Sequence, residues 1–247
     1  MKGREWYQSP AVVAEYDEKR FSRGGRLVDR RERRAVLEAL APVEGRRVLE
    51  VASGTGRFAV ELAERGADVV ALDVSGAMLA EGRRRARRAG VADAISFLRA
   101  DAARLPFGDG EFDAVVAVRF FHLADTPARF LAEMARVSTE RVFFDTFDGR
   151  STRVLYNWLL PMGSRLYDRG RVRRLLDDAG LSLAGVEHDF VVPFGFYRTV
   201  PDRVARAVRR VDEALCRTSA GRRVASVSYW DARLPAAGDA AESDGRV

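Results

Sequence analysis

At 247 residues, with 47% hydrophobic and 32% charged positions, the chain is long enough to bury a full core and too apolar to be disordered. No apolar run approaches the roughly 18–20 residues that span a bilayer, and the first ten residues lack the apolar stretch of a secretory signal. Cys216 is the only cysteine, which excludes an intrachain disulfide and a cysteine-held metal cluster and makes the cytoplasm the expected location. The net charge of +6 raises the question of a nucleic-acid partner, but all but two of the 42 basic residues are arginine, and most are interleaved with acids. That distribution fits a compositional bias, and no nucleic-acid partner is expected. The two densest runs, 30–34 and 83–88, fall in helical patterns and read as solvated faces.

Residues 1–41 read as a helical cap. Val12, Val13 and Tyr16 precede a Gly24-Gly25 break, after which Leu27, Val28, Ala35, Val36, Leu37 and Leu40 recur at helical spacing until Pro42. Strands and helices then alternate. The pattern predicts strands at 47–52, 68–74, 95–99, 112–118 and 141–147, with helices at 58–65, 75–89 and 127–137 between them. Such an alternation implies βαβ units with right-handed crossovers and a parallel sheet.

Beyond Asp148, helical stretches at 150–160 and 170–179 are separated by Pro161 and Gly163. Two β-like stretches, 183–192 and 224–233, flank an amphipathic helix at 201–217. Its Val204, Val208, Val211 and Leu215 form one stripe and its arginines another, as in a helix on a membrane surface. Membrane contact is nevertheless not expected; the stripe should pack on the sheet and leave the arginines in water. The tail at 235–247, rich in Ala, Gly and Asp, is expected to be disordered. The whole predicts one α/β domain over 1–234. It has a doubly wound, mostly parallel seven-stranded Rossmann-like sheet, N-terminal helices and a helical insertion near the C-terminus.

The first strand runs directly into Ser53-Gly54-Thr55-Gly56 and then a helix. Glycines suit a backbone that turns sharply and leaves no Cβ in the way of a ligand. Open α/β sheets bind such ligands at the carboxyl ends of strands, where the strand order reverses. Asp73, closing the next strand, can accept both hydroxyls of a ribose. That pair suits a nicotinamide dinucleotide as well as S-adenosylmethionine (SAM). Gly54-Thr55-Gly56-Arg57-Phe58-Ala59 even satisfies the loose G-x-G-x-x-A pattern, so the turn alone does not choose.

Neighbouring residues do choose. Glu50, an acid inside the strand, is placed to meet a cationic ligand or its amino group and would repel a pyrophosphate. Asp101, after the third strand, can accept a hydrogen bond from an adenine amine. Residues 107–113 form a turn into the fourth strand. Acids at three adjacent strand ends suit an adenosyl sulfonium with an ammonium tail. An NAD(P)-dependent oxidoreductase is the alternative, weakened by Glu50 and by the lack of a Tyr-x-x-x-Lys pair or any lysine in the body of the chain.

With these motifs in this order, the segment from Val48 to Val137 resembles the class I SAM-dependent methyltransferases, in particular the ubiquinone/menaquinone-biosynthesis branch. The likeness is carried by VLEVASGTG, ALDVSGAML, DAARLPFGDGEFDAVVAV, Phe121-His122-Leu123 and FLAEMARV. Ser53 stands where glycine or cysteine is common, and Ser138-Thr139-Glu140 replaces the usual turn before the fifth strand. The resemblance implies that Glu50, Ala52, Ser53, Gly54, Thr55, Gly56, Asp73, Val74, Asp101 and Ala102 line the SAM pocket. It implies that Met78 packs near the adenine and that Val118 and Arg119 lie under the methionine part.

The implied activity is methyl transfer from SAM to a small-molecule acceptor by in-line displacement, leaving S-adenosylhomocysteine (SAH) and using no metal. Apolar, quinone- or lipid-like acceptors fall within that class. His122, just past the fourth strand, is a candidate general base because histidine titrates near neutral pH. Asp145, near the end of the fifth strand, is a second; His188 reads as structural. Trp6, Tyr7, Tyr16 and Phe21 are candidates to close over the cofactor. Residues 156–167 and the cluster at Pro193-Phe194-Gly195-Phe196-Tyr197 are candidates for an apolar acceptor pocket, with ordinary core packing as the alternative for each aromatic. On this reading 1–41 is a cap, 42–148 the SAM-binding core and 149–234 the acceptor side. An RNA or protein methyltransferase lacks support, since neither an RNA-binding module nor an Asp-Pro-Pro-Tyr type motif is present. A protein that holds SAM without catalysis stays open.

Overall fold

The structure is a computed structural model that describes residues 10–21, 23–154, 158 and 164–235. Two helices, α1 (Pro10–Phe21) and α2 (Gly25–Leu40), precede β1 (Arg47–Val51), α3 (Arg57–Ala63), β2 (Asp68–Asp73) and α4 (Gly76–Ala89). There follow β3 (Ile95–Arg99), β4 (Phe112–Ala117), α5 (Pro127–Val137) and β5 (Ser138–Phe147). The last part comprises α6 (Arg169–Asp178), β6 (Ser182–Asp189), α7 (Phe194–Thr199), α8 (Asp202–Arg217), α9 (Ser219–Val224) and β7 (Val227–Arg233).

The seven strands form one sheet in the order β3-β2-β1-β4-β5-β7-β6. All neighbours are parallel except β7, which runs antiparallel to both β5 and β6. Because helices cover both faces, β1 and β4 are buried along almost their whole length, which is why they read as continuous apolar runs and not as alternations. One core, with Val48, Phe58, Val69 and Phe147, lies on one face; the other holds Leu49, Val115, Phe121, Met134 and Trp230. The helix boundaries have local causes. Ser75 caps α4 by accepting from Met78 N, and Gly90 ends it in the left-handed conformation. Pro127 opens α5 at a position where its missing N–H costs nothing.

The Gly24-Gly25 break is a close approach. A Cβ on Gly24 would stand 2.0 Å from the carbonyl oxygen of Tyr197 in α7. The replaced turn before the fifth strand has also been resolved. No loop is left there, since α5 ends at Val137 and β5 begins at Ser138, with a bulge in its pairing to β4 and the Ser138 hydroxyl donating to Arg141 O.

Three expectations need correcting. The stretch 224–233 is not all strand: α9 ends at Val224, and β7 starts only at Val227. The run 30–34 is not a simple solvated face. Arg30 and Arg34 are exposed, but Glu32 is only 1% exposed and Arg31 reaches Glu187 and Asp189. The run 83–88 does behave as predicted apart from Arg85, which pairs with Asp17.

The third correction is the largest. Of its expected stripe, helix α8 packs only Val208 against the core: Val204, Val211 and Leu215 are exposed, Val211 to 61%, while Ala205, Arg209 and Asp212 face the protein. The reason is an accounting of polar groups. Asp212 accepts from the amides of Val191 and Val192, which follow β6, and from the Tyr197 hydroxyl. Arg209 makes a two-point contact with Asp189, with Nη1 and Nη2 at 2.8 and 2.7 Å from its oxygens.

Among the described residues no helix is long and apolar enough to cross a membrane. Trp6, Tyr7, Tyr156, most of the expected helix at 150–160, the break at Pro161 and Gly163, and the tail beyond 235 lie outside the described residues.

Candidate functional site at the carboxyl edge of the sheet

The strand order reverses between β1 and β4, and the turn after β1 occupies that point. Three of its residues, Ala52, Gly54 and Gly56, have positive φ. A Cβ on Gly54 would meet nothing within 4 Å, so the turn is open on that side; at Gly56 it would crowd the Phe97 ring at 3.2 Å. Asp73 fastens the turn to the end of β2. One carboxylate oxygen accepts from Gly54 N and the other from Ser75 N, both at 2.8 Å. Burial pushes the Asp73 carboxyl up, and these N–H groups pull it back in part.

Glu50, inside β1, is buried and accepts from Ala59 N at 2.8 Å. Burial raises it to about 8 against the opposing pull of that N–H and of Arg57. Met78 is buried at the start of α4. Asp101, two residues past the β3 position that pairs with Asp73, accepts from Ala103 N. Ala102 and Val118 are buried beside the same edge, where Val74 receives Arg99 on its carbonyl. Helix α1 reaches this turn, since Thr55 Oγ1 donates to Asp17. Tyr16 and Phe21 sit on that helix, 6.4 Å apart edge to face. The open glycine cradle and the acids around it fit an adenosyl group with a cationic tail.

A second assembly lies at the ends of β4 and β5, and the sequence did not reveal it. Arg119, the second residue past β4, has φ +62. Its side chain runs to Glu32 of α2 and lies over the Phe194 ring at 3.9 Å. Glu32 is shared with Arg57, at 2.5 Å. Burial pushes Glu32 up, but the guanidinium groups of Arg119 and Arg57 outweigh it and hold the acid at about 2. Asp145 accepts from Arg119 N at 2.6 Å; burial raises it to about 6 although Arg119 opposes.

His122 packs its ring on Phe147, centroids 4.8 Å apart. Burial, and then the charges of Arg20, Arg119 and Arg153, hold its imidazole well below the usual value. Phe147 also carries Arg153 at 3.4 Å. The two candidate bases therefore stand in one charged neighbourhood. His188 is elsewhere, on β6, bonded to Ser228. In the aromatic cluster at 193–197, Phe194 and Tyr197 are buried and Phe196 is partly exposed. Glu32, Arg57, Arg153 and Arg198 were missed by sequence reasoning; an acid within an arginine run was the only available signal.

Residues 48–140 match the family described as a methyltransferase domain. Demethylmenaquinone methyltransferase of Beutenbergia cavernae is 43% identical over 111 residues, which cover 45% of this chain and 44% of that one. The ubiquinone/menaquinone biosynthesis C-methyltransferase of Paracoccus denitrificans is 42% identical over 81 residues, 32% of each chain. The matches thus span less than half the length of these curated relatives. Magnesium protoporphyrin IX methyltransferase of Synechocystis with bound SAH has the same fold, with a TM-score of 0.64 at 17% identity and 85% of each chain covered.

The sheet order and glycine cradle are those of a class I SAM-dependent methyltransferase fold. Over the segment 48–140 the chain matches the methyltransferase-domain family, and the matching stretches of these ubiquinone- and menaquinone-biosynthesis enzymes are what it is similar to.

Proposed function

We propose that this protein is a SAM-dependent methyltransferase acting on a small-molecule acceptor by in-line displacement. The observation that carries the reading is the open turn 52–56 at the point of strand reversal, tied by Asp73 to the next strand end. The methyltransferase domain match over 48–140 supports it. SAM, when bound, supplies the methyl group together with its own leaving sulfide, so the chain's task is to bind, orient and exclude water. Alignment of that kind is worth about 7–11 kcal/mol of barrier.

On this reading Asp73 receives the ribose hydroxyls on the lone pairs its amide partners leave free. Ala52, Ser53, Gly54, Thr55 and Gly56 give the adenosyl group room, with Val74, Met78, Asp101 and Ala102 around the adenine. Glu50 faces the ammonium group, while Val118 and the Arg119 backbone support the methionine part. The side chain of Arg119 serves the acceptor half instead, because it turns to Glu32 and Phe194. His122 is uncharged in the free protein and can take the acceptor's proton on an imidazole nitrogen. Asp145, with its carboxyl near 6, is the better tuned of the two but the more deeply enclosed. The domain over 1–234 divides by task into cap, donor core and acceptor side at 41/42 and 148/149.

Asp73→Asn tests the reading by calorimetry with SAH. The amide keeps the side chain's size but loses charge-assisted acceptors, so affinity should fall at least tenfold, about 1.4 kcal/mol or more. Wild-type protein that binds NADH and not SAH would end this proposal.

A further inference from the structure

Helix α8 divides its circumference into three rows. Ala205, Arg209 and Asp212 face the protein. Val204, Val211 and Leu215 lie exposed on a second row, with Val208 at its protein edge. Arg203, Arg206, Arg210 and Arg217 form the third; all four are exposed, and none meets an acid among the described residues. At 3.6 residues per turn the arginine row runs alongside the apolar one, with only the small, exposed Ala207 and Ala214 between them. The one acid in the arginine row, Glu213, is turned to Arg209.

The basic field continues onto α2. Arg206 shares an open hollow of about 420 Å³ with Arg23, Arg26 and Arg30, at the N-terminal end of α8. The two acids there are engaged, Asp29 with Arg33 and Arg57, and Asp202 with Arg26.

An aliphatic row left in water is stabilised by any apolar surface that covers it. The ground for expecting no membrane contact was a stripe packed on the sheet, and only Val208 is packed on the core. A second copy of the chain would bring the same arginine-rich surface to the contact and crowd like charges together. A bilayer that contains anionic phospholipid suits both rows at once. Its acyl boundary receives the aliphatic side chains, while guanidinium groups on flexible stems reach up to the phosphates.

We propose that the outward rows of α8 rest on an anionic phospholipid surface, with Val204, Val211 and Leu215 at the acyl boundary and Arg203, Arg206, Arg210 and Arg217 among the headgroup phosphates. The inference does not depend on the methyltransferase reading. Aliphatic side chains without an aromatic anchor insert shallowly, so the attachment is reversible and needs both rows.

The test is sedimentation of the full chain with phosphatidylcholine vesicles, plain or with about one third phosphatidylglycerol. The chain should bind the anionic vesicles at least tenfold more tightly than the plain ones, and salt well above physiological strength should remove most of that preference. Arg203→Gln, Arg206→Gln and Arg210→Gln combined should weaken binding at least tenfold, and Val211→Ser with Leu215→Ser at least fivefold. Both variants should keep the wild-type thermal midpoint, because all of these side chains are exposed. Val211→Trp supplies an aromatic anchor; it should tighten binding at least threefold, and its emission should shift to the blue on the anionic vesicles. Equal binding to the two vesicle types, no binding to either at low salt, or a serine variant that binds as the wild type does overturns the proposal. So does a concentration-dependent dimer that Val211→Ser abolishes, which would give the face to a second copy. A serine variant that loses stability overturns it too, since the row would then be covered by the chain itself.

Discussion

The two halves of the carboxyl edge are held together by different means. On the proposed donor half, carboxylates grip backbone: Asp73 takes the amides of Gly54 and Ser75, and Glu50 that of Ala59. On the proposed acceptor half, side chains grip side chains, with Glu32 between Arg57 and Arg119, and guanidinium groups stacked on Phe147 and Phe194. Backbone-anchored acids fix a shape that depends little on which ligand arrives. Ion pairs among side chains leave the charge balance adjustable, and one half can change its ligand while the other stays constant.

The strongest way to break this contrast is Glu32→Gln. It leaves Arg57 with Asp29 alone and Arg119 with only its longer contact to Asp145 at 3.9 Å, and losing one partner of a buried pair costs about 3–5 kcal/mol. Urea unfolding should show that loss with an unchanged denaturant slope. The sign with pH follows from the folded-state value near 2 against an ordinary 4.5. Glu32 contributes its full stabilisation above about pH 4.5 and loses it as pH falls toward 2, so the variant's stability should vary less over that window.

A second measurement sharpens the donor half. Glu50 is raised from 4.5 to about 8, so its contribution runs the other way. The folded state binds the extra proton, and stability should decline as pH rises from about 4.5 to 8, a decline that Glu50→Gln removes. If Glu50 faces the ammonium group of SAM as proposed, the arriving charge expels that proton. SAM binding at pH 7 should therefore show an enthalpy that depends on the ionisation heat of the buffer, and Glu50→Gln should abolish the dependence. Identical enthalpies in phosphate and Tris would place the ammonium elsewhere.

The smallest effect is expected on α8. Val211→Ser removes an exposed apolar group and should alter stability by less than about 0.5 kcal/mol, whereas Asp212→Ala orphans two amides and a hydroxyl and should cost several times more. A large penalty for Val211→Ser would mean that the stripe is covered after all.

The same contrast governs what could be read from the sequence. The alternation of strands and helices, the parallel sheet and the donor turn were legible because their determinants are local: a strand, two glycines and an acid closing the next strand. The sheet reads correctly even where a family turn is replaced, since Ser138 enters β5 without a loop. The charged assembly was not legible. Glu32 and Arg119 stand 87 residues apart, Arg31 and Asp189 158 apart, and no spacing rule connects them. Helix α8 misled for a related reason. Its apolar periodicity was real, but the burial of Arg209 and Asp212 is decided by partners on β6 and α7 that periodicity does not see.

The seat of α8 has a consequence for positional accuracy. A helix attached by an oily stripe can shift by a turn, about 5.4 Å, and find comparable contacts. One attached through Asp212 to two successive amides and a phenol has a single notch into which it fits. That phenol belongs to Tyr197, the chain neighbour of Arg198. The notch therefore works as an index pin: whatever locks α8 also sets where the Arg198 guanidinium stands, far more tightly than a six-residue helix could on its own.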